Sequence, residues 1–220
     1  MRIIITGDIH NEFSKLNQLI SKKRPDLVIC CGDFGFWPDT HWATPMTNIK
    51  PQGAKILWCD GNHENHWQLK NRNTNEIVKD VIYMPRGSTL RLDDGRVFMF
   101  MGGADSIDKQ QRRIGETWFP EEIITQKDLY DLPDIKVDIF ITHTCPMELV
   151  FEMIRYNSEK FNDPSPKALS ELWKIYRPDL WYFGHWHIYK ELDMFGTKCF
   201  ALGSCSWSDQ RWWTWLPERR

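Results

Sequence analysis

The chain has 220 residues, of which 41% are hydrophobic and 26% are charged, and its formal net charge is −2 at pH 7. This length and balance fit one globular domain over residues 1–220, and they argue against a protein that binds long duplex nucleic acid with a basic surface. Because no apolar run approaches the ~20 residues that cross a bilayer and the N-terminus lacks a signal-peptide pattern, we expect a cytoplasmic protein without a membrane span.

Seven short runs rich in Ile, Val, Leu and Phe predict β-strands. In chain order they are Arg2–Thr6, Leu27–Cys31, Lys55–Cys59, Val97–Met101, Asp138–Thr142, Leu180–Phe183 and Cys199–Leu202. Several of them are continuously apolar, which is typical of strands that are covered on both faces in α/β proteins. The sequence therefore predicts an α/β fold.

Helical patterns lie between some of these strands. Residues 11–25 form the first pattern, whose apolar face consists of Phe13, Leu16, Leu19 and Ile20. With the strands on either side it predicts a β-α-β unit. Residues 120–132 and 165–178 predict two further helices, and the Trp-rich residues 211–215 predict a packed final strand. No internal repeat or Gly/Ser linker indicates a domain boundary, and the sequence leaves the oligomeric state open.

The six cysteines contain no C-x-x-C pair. They are Cys30, Cys31, Cys59, Cys145, Cys199 and Cys205. Because several lie in apolar stretches, we expect buried, reduced thiols rather than a metal site or a disulfide framework.

Five predicted strands are followed by residues that can bind a metal ion. The short sequences are GDIH at 7–10, GD at 32–33, GNHE at 61–64, TH at 142–143 and GHWH at 184–187. Asp8 and His10 are two residues apart, so in an extended chain their side chains point to the same side. Open α/β sheets place their chemistry at the carboxyl ends of strands, so these residues are expected to converge in one crevice.

The side-chain types indicate a particular class of metal. Two carboxylates, one amide oxygen and four imidazoles suit Mn²⁺, Fe or Zn²⁺, and they are too rich in nitrogen for Ca²⁺ or Mg²⁺. Seven ligands are too many for one ion. Two divalent ions about 3.5–4 Å apart, bridged by a carboxylate, would clamp the attacking and leaving oxygens of an in-line phosphoryl displacement. The chemistry therefore predicts hydrolysis of a phosphate ester.

In these five sequences, in their order and in their spacing, the chain resembles the calcineurin-like metallophosphoesterases. The resemblance spans residues 7–187. It implies an αββα sandwich of two mixed β-sheets flanked by helices, and an enzyme that attacks a phosphate ester with a hydroxide bridging two divalent ions. Manganese is the expected metal, with iron or zinc as alternatives.

The resemblance also implies a role for each residue. One ion is held by Asp8, His10 and His187. The other ion is held by Asn62, His143 and His185. Asp33 bridges the two ions, and His63 contacts the phosphate and donates a proton to the leaving group. His63, Asp33 and Asn62 are accordingly the expected catalytic residues, whereas His41 and His66 match no motif and are expected to be surface or packing residues.

The substrate is expected to be a small molecule that contacts residues 35–42 and 102–122. In the second segment Lys109, Arg112 and Arg113 could neutralise a further phosphate or a carboxylate. The tryptophans of both segments could either stack on a flat group or pack as a lid; they are Trp37, Trp42 and Trp118.

A nucleotide-like phosphodiester is the expected substrate class. Serine/threonine protein phosphatases, which the resemblance also suggests, carry an Asp and an Arg at the places that Phe36 and Trp37 occupy here. A diester has one negative charge and needs fewer cationic contacts than a monoester, and Phe36, Trp37, Trp118 and Trp186 could offer it apolar surface. A protein phosphatase or other phosphomonoesterase, a nuclease for short or single-stranded substrates, and a non-catalytic scaffold stay as alternatives.

Overall fold

The computed structural model describes residues 1–38, 40–154, 162–206 and 211–219. In this part of the chain there are twelve strands, in order β1 (Ile3–Thr6), β2 (Leu27–Cys30), β3 (Lys55–Trp58), β4 (Glu76–Val78), β5 (Val81–Tyr83), β6 (Thr89–Arg91), β7 (Val97–Met101), β8 (Ile139–Thr142), β9 (Leu180–Phe183), β10 (Lys190–Met194), β11 (Thr197–Ala201) and β12 (Trp213–Trp215). The same residues form four α-helices, α1 (Phe13–Lys23), α2 (His66–Lys70), α3 (Met147–Met153) and α4 (Ser165–Tyr176). No helix among these residues is long and apolar enough to cross a bilayer.

The strands form two six-stranded mixed sheets. The first has the order β12-β1-β2-β3-β5-β4 and the second the order β10-β11-β9-β8-β7-β6. In each sheet the four central strands are parallel and the two outer strands are antiparallel. The carboxyl ends of the central strands therefore lie along one edge of each sheet, which is where functional loops of α/β proteins collect.

Both faces of the central strands are buried. Ile5 of β1 and Ile29 of β2 belong to one apolar cluster with Phe98 and Phe100 of β7, and this cluster lies between the two sheets. The alternate residues of β1 and β2 pack instead against helix α1. In the second sheet the outward residues pack against α3 and α4. The two mixed sheets with helices outside confirm the predicted sandwich, and burial of both faces explains the continuously apolar strands.

The seven strands predicted from composition are confirmed to within two residues at each end, and residues 211–215 contain the predicted final strand β12. The helices predicted at 11–25 and 165–178 are confirmed as α1 and α4. All six cysteines are buried and free, as expected. Four strands, β4, β5, β6 and β10, were not predicted: β4, β6 and β10 contain polar or charged residues that interrupt any apolar run, and the apolar run of β5 is only three residues long.

The helix predicted at 120–132 is wrong. This segment forms two separate 3₁₀ turns, Pro120–Glu122 and Gln126–Leu129. The guanidinium of Arg86 donates hydrogen bonds to the carbonyls of Glu121, Glu122 and Ile123, at 2.9, 3.0 and 2.9 Å. Carbonyls engaged by a side chain across the fold do not need the N–H groups of a following helical turn, so a tertiary contact overrides the local pattern.

Candidate metal centre

The structure brings the predicted site residues together at the carboxyl edge of both sheets. They follow five parallel strands, β1, β2 and β3 of the first sheet and β8 and β9 of the second. These residues are Asp8, His10, Asp33, Asn62, His63, His143, His185 and His187. The two sheets therefore contribute to one site.

Four of these residues have left-handed backbone conformations. The φ angles are 47° at His10, 45° at Asp33, 66° at His185 and 52° at His187. Such conformations cost roughly 1–3 kcal/mol each for residues other than glycine, and they persist only where the surrounding structure enforces them. Strand β1 ends at Thr6, so Asp8 and His10 converge through a turn rather than through the alternation of an extended strand.

Two glycines of the motifs leave space for the site. A Cβ atom at Gly32, whose φ is 96°, would meet the imidazole of His143. A Cβ atom at Gly184 would meet the carboxylate of Asp8. The chain needs glycine at these positions because the ligand side chains pass directly over the backbone.

One group of side chains combines residues from three loops. Asp8, His10, Asp33 and His187 each direct one possible ligand atom to a common point, with all four atoms within 4.8 Å of one another. Nε2 of His187 lies 2.9 Å from both Asp8 Oδ2 and His10 Nε2, and Asp33 Oδ2 lies 3.5 Å from His10 Nε2. We call this group the first cluster.

A second group lies on the other side of Asp33. Asn62 Oδ1 is 2.9 Å from His143 Nε2 and 3.0 Å from His185 Nδ1. Asp33 Oδ1 is 3.3 Å from the same nitrogen of His143. We call Asn62, His143 and His185 the second cluster. The two oxygens of Asp33 therefore face different clusters.

The second cluster fits a cation. The carbonyl of Cys31 accepts a hydrogen bond from Nδ1 of His143 at 2.9 Å, which leaves the lone pair of a neutral imidazole on Nε2. The amide nitrogen of Asn62 donates to Ser106 Oγ at 3.0 Å, so its oxygen is the atom that faces His143. Two acceptors at hydrogen-bond distance require a proton or a metal ion between them. The carboxylate, amide and imidazole donors of both clusters suit a divalent transition metal.

The pKa values of the site residues also indicate a site that favours positive charge. Burial by itself would lower the pKa of His10, but the Asp33 and Asp8 carboxylates raise it to about 9. Burial likewise opposes protonation of His143, and the same carboxylates raise its pKa to about 10. Against the effect of burial, hydrogen bonds from His10 and His187 hold the pKa of Asp8 well below its usual range. The site therefore attracts positive charge, which protons or metal ions can supply.

His63 lies beside the clusters and contacts Arg112. Its backbone N–H donates to Asp33 Oδ1 at 2.7 Å, and its Nε2 accepts from Nη2 of Arg112 at 2.9 Å. Asp108 fixes Arg112 through an ion pair of 2.7 Å. Burial chiefly lowers the pKa of His63, and the charge of Arg112 lowers it further. The sequence did not predict what orients His63; the structure identifies Arg112.

The other two basic residues of the same loop form ion pairs away from His63. Lys109 pairs with Asp105. Arg113 is exposed and lies 3.4 Å from Glu116. Of the three basic residues considered from the sequence, Arg112 is the one at the site.

A pocket of about 300 Å³ opens onto this site. It is lined by His10, Asn11, Gly35, Trp37, Trp42, His63, Asp108, Arg112 and Thr117. The rings of Trp37 and Trp42 are 5.1 Å apart and form an apolar wall. A volume of this size is at the lower end of ordinary small-molecule sites.

Some aromatic residues have structural roles instead. Phe36 is buried in the core against Trp58, with ring centroids 6.1 Å apart, so the prediction that it offers surface to a substrate is wrong. Trp186 packs against the outer apolar cluster of the second sheet. His41 is exposed and His66 is buried, in agreement with their expected roles.

Two residues that support the site were not predicted. The carboxyl group of Glu64 accepts from the backbone N–H of Gly35 at 3.1 Å and of Gly61 at 2.7 Å, and so ties two ligand loops together. Burial raises the pKa of Glu64 to about 8. Ser106 follows β7, a parallel strand of the second sheet. Ser106 could have been predicted to lie near the site, because β7 ends at the same edge of the sheet as the strands that supply ligands.

The fold and these clusters define a class of α/β protein in which two packed mixed sheets present metal-ligating side chains at their carboxyl edge. Residues 1–189 match the family model described as calcineurin-like phosphoesterase. The chain belongs to the calcineurin-like phosphoesterase family, which uses divalent metals, and it is a hydrolase that acts on phosphate esters.

Solved structures share this fold. TT1561 of Thermus thermophilus is 15% identical with a TM-score of 0.54, over 92% of this chain and 89% of that chain. The phosphopantetheinyl hydrolase from Mycobacterium tuberculosis is 14% identical with a TM-score of 0.53, over 99% and 96%. At these identities the likeness concerns the fold alone. A search of curated proteins finds no match to the chain.

Proposed function

We propose that the protein hydrolyses a small, nucleotide-like phosphodiester at a centre of two divalent metal ions. The observation that carries this proposal is the position of Asp33 between the two clusters, with one oxygen toward each. A carboxylate in that position suits two ions that share a ligand. In this proposal Asp8, His10 and His187 hold one ion with Asp33, and the second cluster holds the other, with manganese as the preferred metal and iron or zinc as alternatives.

Bound divalent ions would neutralise phosphoryl oxygens and lower the pKa of a coordinated water. The chain's own residues supply the remaining steps. His63 lies at the pocket wall, where it would donate a proton to the leaving oxygen. For this step Nε2 of His63 must exchange its hydrogen bond from Arg112 for a proton, so Arg112 is expected to turn toward the substrate phosphate.

The pocket supports a diester with a flat organic group. Trp37 and Trp42 provide apolar surface beside His63. Arg112 is the cation closest to His63, and its charge is already balanced by Asp108. A dianionic monoester needs more positive charge than one arginine that is already paired with Asp108 can supply. The single negative charge of a diester could be neutralised by the metal ions without an additional cation.

We expect a higher kcat/KM for a chromogenic diester than for its matching monoester, measured with Mn²⁺ at the same pH. Trp42→Ala should raise KM for an aromatic diester several-fold. Trp67→Ala is the matched control, because Trp67 is 62% exposed, compared with 57% for Trp42, and does not line the pocket. A monoester preference of about ten-fold or more would overturn the diester assignment.

Phosphomonoester hydrolysis is the second candidate, and one observation favours it. Arg112 lies within hydrogen-bond distance of His63 and is the type of residue that binds a phosphoryl group through two parallel hydrogen bonds. If Asp108 releases Arg112 when substrate binds, the site gains the charge that a dianion requires. The comparison of diester and monoester distinguishes the two candidates directly.

His63→Ala is expected to keep both metal ions and to lose about 10²-fold or more in kcat, because a general acid is removed from an intact metal site. Metal content and kcat should be measured on the same sample. His41→Ala is the control, since His41 is exposed and lies outside the pocket. Wild-type turnover in His63→Ala would remove His63 from the mechanism.

A further inference from the structure

The orientation of the Asn62 amide decides whether the second cluster can hold a cation. Asn62 Oδ1 faces His143 and His185. If the amide turned over, its NH₂ group would take that position and would repel a metal ion. An amide gains little from either orientation by itself, so the choice depends on the partner of its nitrogen.

That partner is Ser106. Nδ2 of Asn62 donates to Ser106 Oγ at 3.0 Å, and both side chains are buried. A hydroxyl accepts this bond only when its own proton points elsewhere. The orientation of the amide therefore depends on where Ser106 places its hydroxyl oxygen.

Glu122 holds Ser106 through the backbone. Its Oε1 accepts the backbone N–H of Ser106 at 2.7 Å. Glu122 is fully buried, although no sequence motif includes it. The bond to Glu122 fixes the backbone of Ser106, and with it the position from which Ser106 Oγ accepts the NH₂ group of Asn62.

The position of Glu122 is itself fixed. Arg86 binds the backbone carbonyls of Glu121, Glu122 and Ile123, and its guanidinium forms an ion pair of 2.7 Å with buried Asp60. Asp60 also accepts from the hydroxyl of Tyr83 at 3.0 Å. The same contacts that prevent a helix at 120–132 thus anchor the carboxyl group that holds Ser106.

We infer that Ser106 and Glu122 are positioning residues that select the metal-binding orientation of Asn62 and thereby set the affinity of the second cluster for its ion. This inference rests on the two-ion centre proposed above. Only the ion of the second cluster is expected to be affected, because Ser106 forms its hydrogen bonds with Asn62 of that cluster and with Glu122. Supporting residues of this kind typically contribute 10- to 100-fold in metal affinity.

The test is a Mn²⁺ titration of the full chain by calorimetry, with metal content measured after gel filtration. Ser106→Ala is expected to bind one ion as wild type does and the other about 10- to 100-fold more weakly. Ser170→Ala is the matched control, because Ser170 is also buried, accepts a backbone N–H at 2.9 Å and donates to Glu148 at 2.6 Å, but joins α3 to α4. It should bind both ions normally.

A second pair of variants tests the orientation itself. Asn62→Asp places two equivalent oxygens at this position, so its binding of the ion no longer depends on which way the group is turned. Ser106→Ala in that background should therefore change the affinity for the second ion by less than about three-fold. Glu122→Ala in the native background removes the acceptor of the Ser106 N–H, so it should weaken the second ion in the same direction as Ser106→Ala, and it replaces Ser106→Ala if that variant does not fold.

The outcomes separate this inference from the proposed function. Two ions of wild-type affinity in both Ser106→Ala and Glu122→Ala would overturn the inference while leaving the two-ion centre intact. Equal weakening of both ions, or an unchanged loss in the Asn62→Asp background, would also overturn it. A single ion in the wild-type protein would contradict the two-ion centre and, with it, this inference.

Discussion

Asp33→Asn is expected to lower kcat/KM by roughly 10³-fold or more, with a smaller loss in Asp8→Asn. A neutral amide at position 33 removes a negative charge that both clusters face through one oxygen each, whereas Asp8 directs a ligand oxygen to the first cluster and contacts the second only through the backbone N–H of His185. A loss of about 4 kcal/mol in transition-state stabilisation corresponds to this factor. An asparagine can still accept the N–H of His63, but its NH₂ group would then face the first cluster.

Metal analysis of the same variants checks the cause. We expect Asp33→Asn to retain at most one ion after gel filtration, and Asp8→Asn to retain the ion of the second cluster. Asp26→Asn is the control for loss of a carboxylate, because Asp26 accepts the backbone N–H of Arg2 at 2.6 Å and is not part of either cluster. Two tightly bound ions in Asp33→Asn would contradict a bridging role for Asp33.

Removal of metal with a chelator is expected to abolish hydrolysis, and Mn²⁺ should restore it better than Mg²⁺, because the four imidazoles of the proposed centre would suit the softer ion. Circular dichroism before and after chelation controls for unfolding. Full activity in excess chelator would contradict the prediction.

Proton release gives an independent measurement of the same site. The pKa of His10 is raised to about 9 and that of His143 to about 10, so both imidazoles carry a proton at pH 7 when no metal is bound. Metal binding displaces those protons, and the apparent affinity should rise with pH up to these values. Calorimetric titrations in buffers of different ionisation enthalpy measure the number of protons released. No release at pH 7 would contradict this linkage.

The amino-acid sequence by itself determined the fold class and the set of possible ligands. Continuous apolar runs predict strands buried on both faces, and polar residues after five such runs predict a site where the parallel strands end. Both patterns are local, because each depends only on the residues of one strand and on those that directly follow it.

Tertiary structure alone decided how those residues face one another. Asp and His adopt the left-handed region more readily than most residues, but contacts between loops, such as the bond from the His10 N–H to the Asp33 carbonyl, select it here. Arg112 reaches His63 across 49 positions, and Arg86 binds carbonyls of residues 121–123 in place of a helix. Ser106 and Glu122 escaped sequence analysis for the same reason: hydrogen bonds between residues distant in the chain depend on three-dimensional proximity, which local patterns of polarity do not encode.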